Sequence, residues 1–431
     1  MRAKKAIGLW SAVAIGVGGM IGAGIFSILG IACQIAGTLV YVPFIIAGTV
    51  ALFCSYSYAK LGVIYPTAGG PVEFLTAAFG DNVLSGGLNI LLWTGYVFAL
   101  ALYARAFGGY AATFIYATAV GIWPNVFASA IILVFTLVNF IGAKAVGRSE
   151  IFIVGVKVGI LIIFAFLGLL YIKPALLVST NKVSFSSIVF CSGVVFLAYE
   201  GFGLITNAAE DMKNVRVLLP RALYVSVIIA MLIYVTVCLA VVGNLPLAQI
   251  IKAKDYALAE AARPLLGLVG FKIIAVAALF STSSAINATL YGGANVSYTV
   301  AKKGELPELF ERKVWGRSSE GLFITSAVVI LFANVLYLDG IAMLGSSTFL
   351  IIYTAVSFAH LKVRKKTSAS PIVIWLSILG CCFSFVMLIF YAISKAPVTI
   401  VVLAIVIIMS FLIEYIYRRY SGRALKVRSA P

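Results

Sequence analysis

Blocks of about 20 apolar residues recur along this chain from end to end, each long enough to cross the roughly 30 Å hydrocarbon core of a bilayer as a helix. The first runs from about Leu9 to Ile35 and the second from about Val42 to Ile64. Others follow near 83–103, 126–143 and 151–172, from Ser186 onward, after Pro220, and near 270–301, 322–338, 341–361, 372–393 and 398–417. The pattern predicts an all-α integral membrane fold of about 12 transmembrane helices, because helices pair every backbone group internally. Pro66 and Pro71 mark the 65–81 connection as irregular, and the Ala-rich run Ala257 to Ala262 predicts a short surface helix in the loop before helix 8. Helices 11 and 12 are the most uniformly apolar and are expected to face lipid.

Two blocks break the pattern at mid-depth. Residues Ile15 to Ser27 of helix 1 hold Gly16, Gly18, Gly19, Gly22 and Gly24, each weakening a helix by roughly 1 kcal/mol relative to alanine. Helix 6 meets the run Ala198-Tyr199-Glu200-Gly201-Phe202-Gly203. Broken backbone survives in hydrocarbon only when buried in protein or lining a wet cavity. The breaks lie about 178 residues apart, each in the first helix of a five-helix block, and five is odd, so the second block enters from the opposite side. Interrupted helices at corresponding places in two halves point to a transporter site at the midplane of inverted repeats. The repeats are expected at 7–172 and 185–361, followed by two further helices at 371–418, in one polytopic transport domain.

Unwound segments offer complementary chemistry. A half-helix restarting after Gly22, Ala23 and Gly24 presents free N–H groups and a positive dipole end to a carboxylate. Carbonyls freed near Met20 and along Phe196, Leu197, Tyr199 and Glu200 suit an ammonium group. Holders for both charges a few ångströms apart fit an α-amino acid, with Ile25 beside them and Phe196, Phe202 and Trp93 as the pocket for its side chain. The competing reading is close helix packing, since Gly18 and Gly22 have the GxxxG spacing.

Lys157 is the other informative residue. It stands about nine residues into helix 5, roughly 13 Å deep at 1.5 Å per residue. An ionisable residue there is a functional hypothesis by default, against the alternatives of a fixed ion pair or a snorkelled side chain. Its ammonium has partners in the carbonyls of the helix 1 break, such as that of Gly18, and in Ser283 or Ser284 of the polar stripe Ser281, Ser283, Ser284, Asn287 and Tyr291 on helix 8. A proton carried on Lys157 is then the natural coupling ion. Glu200 either holds the amino group, takes a proton or bonds the unwound backbone, while His360, at the end of helix 10, reads as an interface residue.

Composition narrows the class. Of 431 residues 63% are hydrophobic and 11% charged, far from the roughly 25% charge of soluble domains. The net charge of +18 sits in alternate loops: Arg2, Lys4 and Lys5; Lys144 and Arg148; Lys213, Arg216 and Arg221; Lys302 to Arg317; Lys362 to Lys366; Arg418 to Arg428. This is the positive-inside pattern, which places both termini in the cytoplasm and argues against nucleic acid as a partner. The six cysteines lie in apolar segments without metal-ligand spacing. No HExxH, GxSxG or Walker loop is present, so neither an enzyme nor a cofactor is indicated.

The run Gly18 to Phe26 resembles the Gly-(Ser/Ala)-Gly signature of the amino acid, polyamine and organocation transporter superfamily. Ala198 to Phe202, followed by Asn207-Ala208-Ala209-Glu210-Asp211 and Lys213-Asn214, is similar to its helix 6 pattern, with Val215 where proline is usual. Tyr291 to Asn295 and Lys302 to Pro307 resemble it too, so the likeness covers nearly the whole chain. The resemblance implies the LeuT-type fold with broken helices 1 and 6, alternating access, and, with Lys157 in helix 5, symport of amino acids with protons. It also implies carboxylate binding at Ala23 and Gly24 and amino-group binding by carbonyls of Met20 and of Leu197 to Glu200. The expected function is a proton-coupled symporter of small and neutral L-amino acids in the cell membrane, without a partner chain. An exchanger and a non-transporting membrane receptor are the alternatives.

Overall fold

A computed structural model of the chain describes residues 7–67, 69–115, 121–141, 146–177, 183–302, 306, 310, 312–314 and 318–421. Arg2, Lys4, Lys5, Lys144, Arg317, Arg428 and the stretches 303–305 and 307–309, which belong to the charge pattern, lie outside them. The apolar blocks form twelve helical elements: α1 (Leu9–Ala36), α2 (Tyr41–Ile64), α3 (Val83–Ala112), α4 (Trp123–Ile141), α5 (Val146–Leu170), α6 (Phe185–Asn207), α7 (Val215–Asn244), α8 (Ala257–Lys302), α9 (Glu320–Val335), α10 (Leu338–Thr367), α11 (Pro371–Lys395) and α12 (Pro397–Ser421). Eleven are long and apolar enough to cross a membrane; α9 is a shorter apolar helix of 16 residues.

Local chemistry sets several boundaries. Asn82 caps α3, its side chain accepting from Leu84 and Ser85 N–H groups at 2.9 and 3.1 Å. A short, mostly buried helix, Pro71–Phe79, fills the proline-marked connection before it. The helix expected at the surface over Ala257 to Ala262 is instead buried and forms the first part of α8, which bends at Gly267 with a φ of 61°. The loop after α8 carries a two-residue antiparallel pairing of Lys313–Val314 with Ser318–Ser319.

Burial sorts the helices into a centre and a rim. In α1, 94% of the most apolar stretch is buried, against 28% in α4, 33% in α5 and in α11 and 17% in α12, so the rim holds the last two helices, as their sequence predicts, and also α4 and α5. Around α1, the elements pack as α1 on α6, α2 on α7, α3 on α8 and α4 on α9.

Polar side chains join helices where the bilayer offers no water. Asn139 of α4 donates to Asn287 of α8 at 2.9 Å, and Thr136 of α4 meets Ser326 of α9 at 2.6 Å. Asn334 of α9 reaches Ser129 of α4 at 2.9 Å, and Trp93 of α3 donates to Thr325 of α9 at 3.0 Å. His360 lies between Ser57 and Thr367, both at 3.0 Å, and so serves the α2–α10 interface.

The two expected breaks differ. Helix α6 is interrupted: Phe185–Val195 and Leu204–Asn207 are α-helical, and Phe196–Gly203 between them is a 3-10 segment. Helix α1 is continuous from Leu9 to Ala36, which corrects the expectation of a broken helix 1. Its glycines serve close approach to neighbouring backbones. A carbonyl has two lone pairs, so side-chain donors can reach α1 without opening its turns.

Candidate functional site

The centre of the bundle is the crossing of α1 with the 3-10 segment of α6. Glycine permits it, since a Cβ on Gly19 would stand 3.1 Å from Gly201 Cα, and one on Gly24 would stand 2.7 Å from Ala198 Cβ and 2.6 Å from the Tyr234 hydroxyl. Gly22 faces α8 instead, with Ala285 in the way of any side chain there. The close-packing reading of these glycines therefore describes what this structure displays.

Around the crossing, backbone carbonyls take hydroxyl and ammonium donors from other helices. The Tyr234 hydroxyl of α7 lies 2.5 Å from Met20 O and 2.9 Å from Ala198 O, bridging α1 and α6. Ser281 of α8 donates to Ile21 O at 3.1 Å, Tyr110 of α3 to Phe26 O at 3.2 Å, and Tyr353 of α10 to Glu200 O at 2.9 Å. Lys157 of α5, 1% exposed, donates to Gly18 O at 2.9 Å. The Glu200 carboxylate, also 1% exposed, accepts from the Tyr103 hydroxyl of α3 at 2.9 Å, and Tyr199 ties α6 to Phe44 O of α2 at 2.8 Å.

Most of the sequence-predicted residues meet here, but Trp93 does not: its ring packs on Phe310 and its N–H bonds Thr325 of α9, which corrects its expected place beside the substrate. Met20, Ile25, Phe196, Leu197, Tyr199, Glu200 and Phe202 are buried in the core at or beside the crossing, with Gly22 and Gly24 on its α1 side. Ala23 continues the α1 helix, and its side chain lies outside the described residues. Ser281 supplies the α8 hydroxyl that bonds α1; Ser283 and Ser284 follow it on the same helix, Ser283 half-buried and Ser284 buried. Sequence reading missed Tyr103, Tyr234 and Tyr353, whose only signal is a tyrosine inside an otherwise apolar helix.

Both approaches to the crossing are closed. Toward the face carrying the N terminus, Phe202 stacks on Tyr353 at 5.1 Å and Tyr58 closes on both rings at 5.3 and 5.2 Å. Beyond them, Ile7 pairs with Asp211 and Lys213 through two backbone hydrogen bonds of 3.3 Å. At the opposite face the short helices Leu247–Ala253 and Lys254–Tyr256 lie over α1, where Gly30 makes room for the Lys254 backbone. Lys254 there pairs with Asp339 of α10 at 3.7 Å.

Chemically, this is a ring of carbonyls held by donors that another donor can replace. At Met20 O, Ala198 O, Ile21 O and Glu200 O those donors are hydroxyls of Tyr234, Ser281 and Tyr353.

Comparison with known proteins agrees with this architecture. The sequence model of the amino acid permease family matches residues 7–413. An uncharacterized protein of Methanocaldococcus jannaschii is 43% identical over 97% of both chains. The inner membrane transport protein YbaT of Escherichia coli is 37% identical, covering 86% of this chain and 87% of its own. The branched-chain amino acid permease BcaP of Bacillus subtilis is 24% identical over 96% of this chain and 93% of its own.

Proposed function

The chain belongs to the amino acid permease family, and from that premise we propose that it is a proton-coupled symporter of broad specificity for small and neutral L-amino acids. It works by alternating access in the cell membrane with both termini cytoplasmic. The observation that carries proton coupling is the buried Lys157 ammonium on the Gly18 carbonyl. A protonated lysine ties α5 to α1 by a charge-assisted bond, and a neutral one holds α1 less firmly. Proton loss or gain at Lys157 thereby biases α1, with Ser283 and Ser284 as further partners when α8 shifts.

The substrate occupies the α1–α6 crossing. Its ammonium replaces hydroxyls on the carbonyls of Met20 and of Leu197 to Glu200, while its carboxylate meets the backbone of Gly22, Ala23 and Gly24. For the latter, α1 opens locally at its glycines as the substrate arrives. Ile25, Phe196, Tyr199 and Phe202 set the room for the side chain, all apolar or aromatic, which favours neutral substrates.

The fold is a LeuT-type 5+5 inverted repeat of 7–172 and 185–361, with 371–418 appended. Support comes from the contacts: α1 meets α6, α2 meets α7, α3 meets α8 and α4 meets α9. Elements related by a two-fold axis that passes between them meet their own counterparts in this way.

Proteoliposome uptake tests the proposal. An imposed inward proton gradient is expected to drive accumulation of alanine, rising as external pH falls. Lys157→Ala is expected to fold and to lose both the accumulation and its pH dependence. Unchanged pH-driven uptake in that variant overturns the proton role. Counterflow without accumulation makes the chain an exchanger, and retained binding with neither makes it a receptor.

A further inference from the structure

A cavity of about 610 Å³ lies away from the α1–α6 crossing, between the end of the short helix Pro71–Phe79, the first turns of α3, the second half of α10 and the middle of α11. Leu88 and Leu350, both buried, form its back wall, and Phe358, 41% exposed, stands at its open side. Lys362 closes one end, its ammonium 5.6 Å from the centre of the Phe79 ring. We propose that this cavity binds one anionic phospholipid, with the headgroup at Lys362 and an acyl chain lying along α10 as far as Leu350.

Length, polarity and charge each select that occupant. From Lys362 to Leu350 the cavity follows α10 for roughly 18 Å at 1.5 Å per residue. That is about the depth of one leaflet of a core roughly 30 Å thick. A polar solute finds little to bond: the Thr354 hydroxyl already donates to Leu350 O at 2.7 Å, and Cys382 offers only a thiol. Basic residues gather at the Lys362 end, with Arg364, Lys365 and Lys366 in the last turn of α10. Asp81 and Glu414 share Arg418 of α12, which leaves one negative charge in that cluster against the four basic residues Lys362, Arg364, Lys365 and Lys366. A basic pocket between helices at the interface is suited to anionic headgroups.

The site has a path to the centre of the molecule. Leu350, Ile351, Thr354 and Ala355 line the cavity, while Phe349 and Tyr353 on the same turns face inward, stacked on each other at 6.0 Å. Tyr353 carries the hydroxyl that bonds Glu200 O. A chain lodged in the cavity therefore bears on the turns that hold the 3-10 segment of α6.

Photoactivatable lipids test the site without any transport measurement. The full-length protein is placed in phosphatidylcholine vesicles containing a trace of diazirine-bearing phosphatidylglycerol or of the matching diazirine-bearing phosphatidylcholine, and cross-linked peptides are mapped by mass spectrometry. Cross-links at Thr354, Ala355 and Cys382 are expected to be about fivefold more abundant with phosphatidylglycerol, the factor for about 1 kcal/mol from one basic residue. Lys362→Gln, which keeps part of the side-chain stem beside Phe79 and removes the charge, is expected to remove that preference. Ala355→Trp, which fills the cavity, is expected to remove cross-links from both lipids. Equal labelling by the two headgroups, or a preference that survives Lys362→Gln, overturns the proposal.

Discussion

At the scale of single residues, the decisive interactions are side-chain donors on main-chain carbonyls. Tyr234 is the clearest, because one hydroxyl serves both sides of the α1–α6 crossing, at Met20 O and Ala198 O. Removing such a bond inside a membrane protein costs on average about 0.6 kcal/mol and at most about 1.7 kcal/mol, because the freed groups find other partners. Tyr234→Phe keeps the ring that packs against Phe44 and Tyr199 at 5.3 and 5.2 Å, so the change isolates the hydroxyl. The variant is expected to melt about 1 °C lower. If a substrate ammonium competes with this hydroxyl, alanine binding becomes about threefold tighter, the factor that about 0.6 kcal/mol supplies. Thermal-shift titration with alanine reads both effects, and weaker binding would mean that the hydroxyl itself holds the ligand.

At the scale of elements, α1 and α6 carry the same glycine signal and answer it differently. Eight residues of 3-10 structure in α6 exceed the usual three or four, and a 3-10 stretch within a helix marks a hinge. Its carbonyls at Ala198 and Glu200 depend on Tyr234 and Tyr353. Amides 197–203 are therefore expected to exchange hydrogen faster than amides 18–24 of α1, and substrate is expected to protect them most. Exchange mass spectrometry with and without alanine checks this, and equal rates in the two stretches would remove the hinge. The contrast also shows what was legible in the sequence. Run lengths of apolar residues gave the helices almost one for one, and Tyr199 to Gly203 gave the interruption of α6. The state of α1 was not legible, because glycine marks both unwinding and close approach, and the deciding neighbours, Gly201, Ala198 and Ala285, come from distant stretches of chain. For the same reason Lys157 could be matched to Gly18 by depth alone, whereas Tyr103, Tyr234 and Tyr353 needed the packed bundle to show what they reach.

At the scale of the whole molecule, the hydrogen bonds divide the helices into two groups with few ties between them. Asn139, Thr136, Asn334 and Trp93 bind α3, α4, α8 and α9 to one another. Tyr234 and Tyr199 bind α1, α2, α6 and α7. Between the groups stand single donors, Ser281 on Ile21, Tyr110 on Phe26 and Tyr103 on Glu200. Movement of one group against the other breaks those and leaves each group's own bonds intact. Two engineered cysteine pairs separate the cases, in a background with the native cysteines replaced. Thr136→Cys with Ser326→Cys joins hydroxyl positions 2.6 Å apart inside one group, and its oxidation is expected to leave uptake near the reduced level. Gly109→Cys with Asp255→Cys joins α3 to the loop over α1, where a Cβ on Gly109 would lie 3.0 Å from Asp255 Cβ, within a small adjustment of disulfide reach. Oxidation of that pair is expected to stop uptake and reduction to restore it, because the loop must lift off α1 for substrate to reach the crossing from that face. Uptake that survives the second cross-link would mean that this loop does not lift during transport, and uptake lost with the first would place a moving boundary inside the group of α3, α4, α8 and α9.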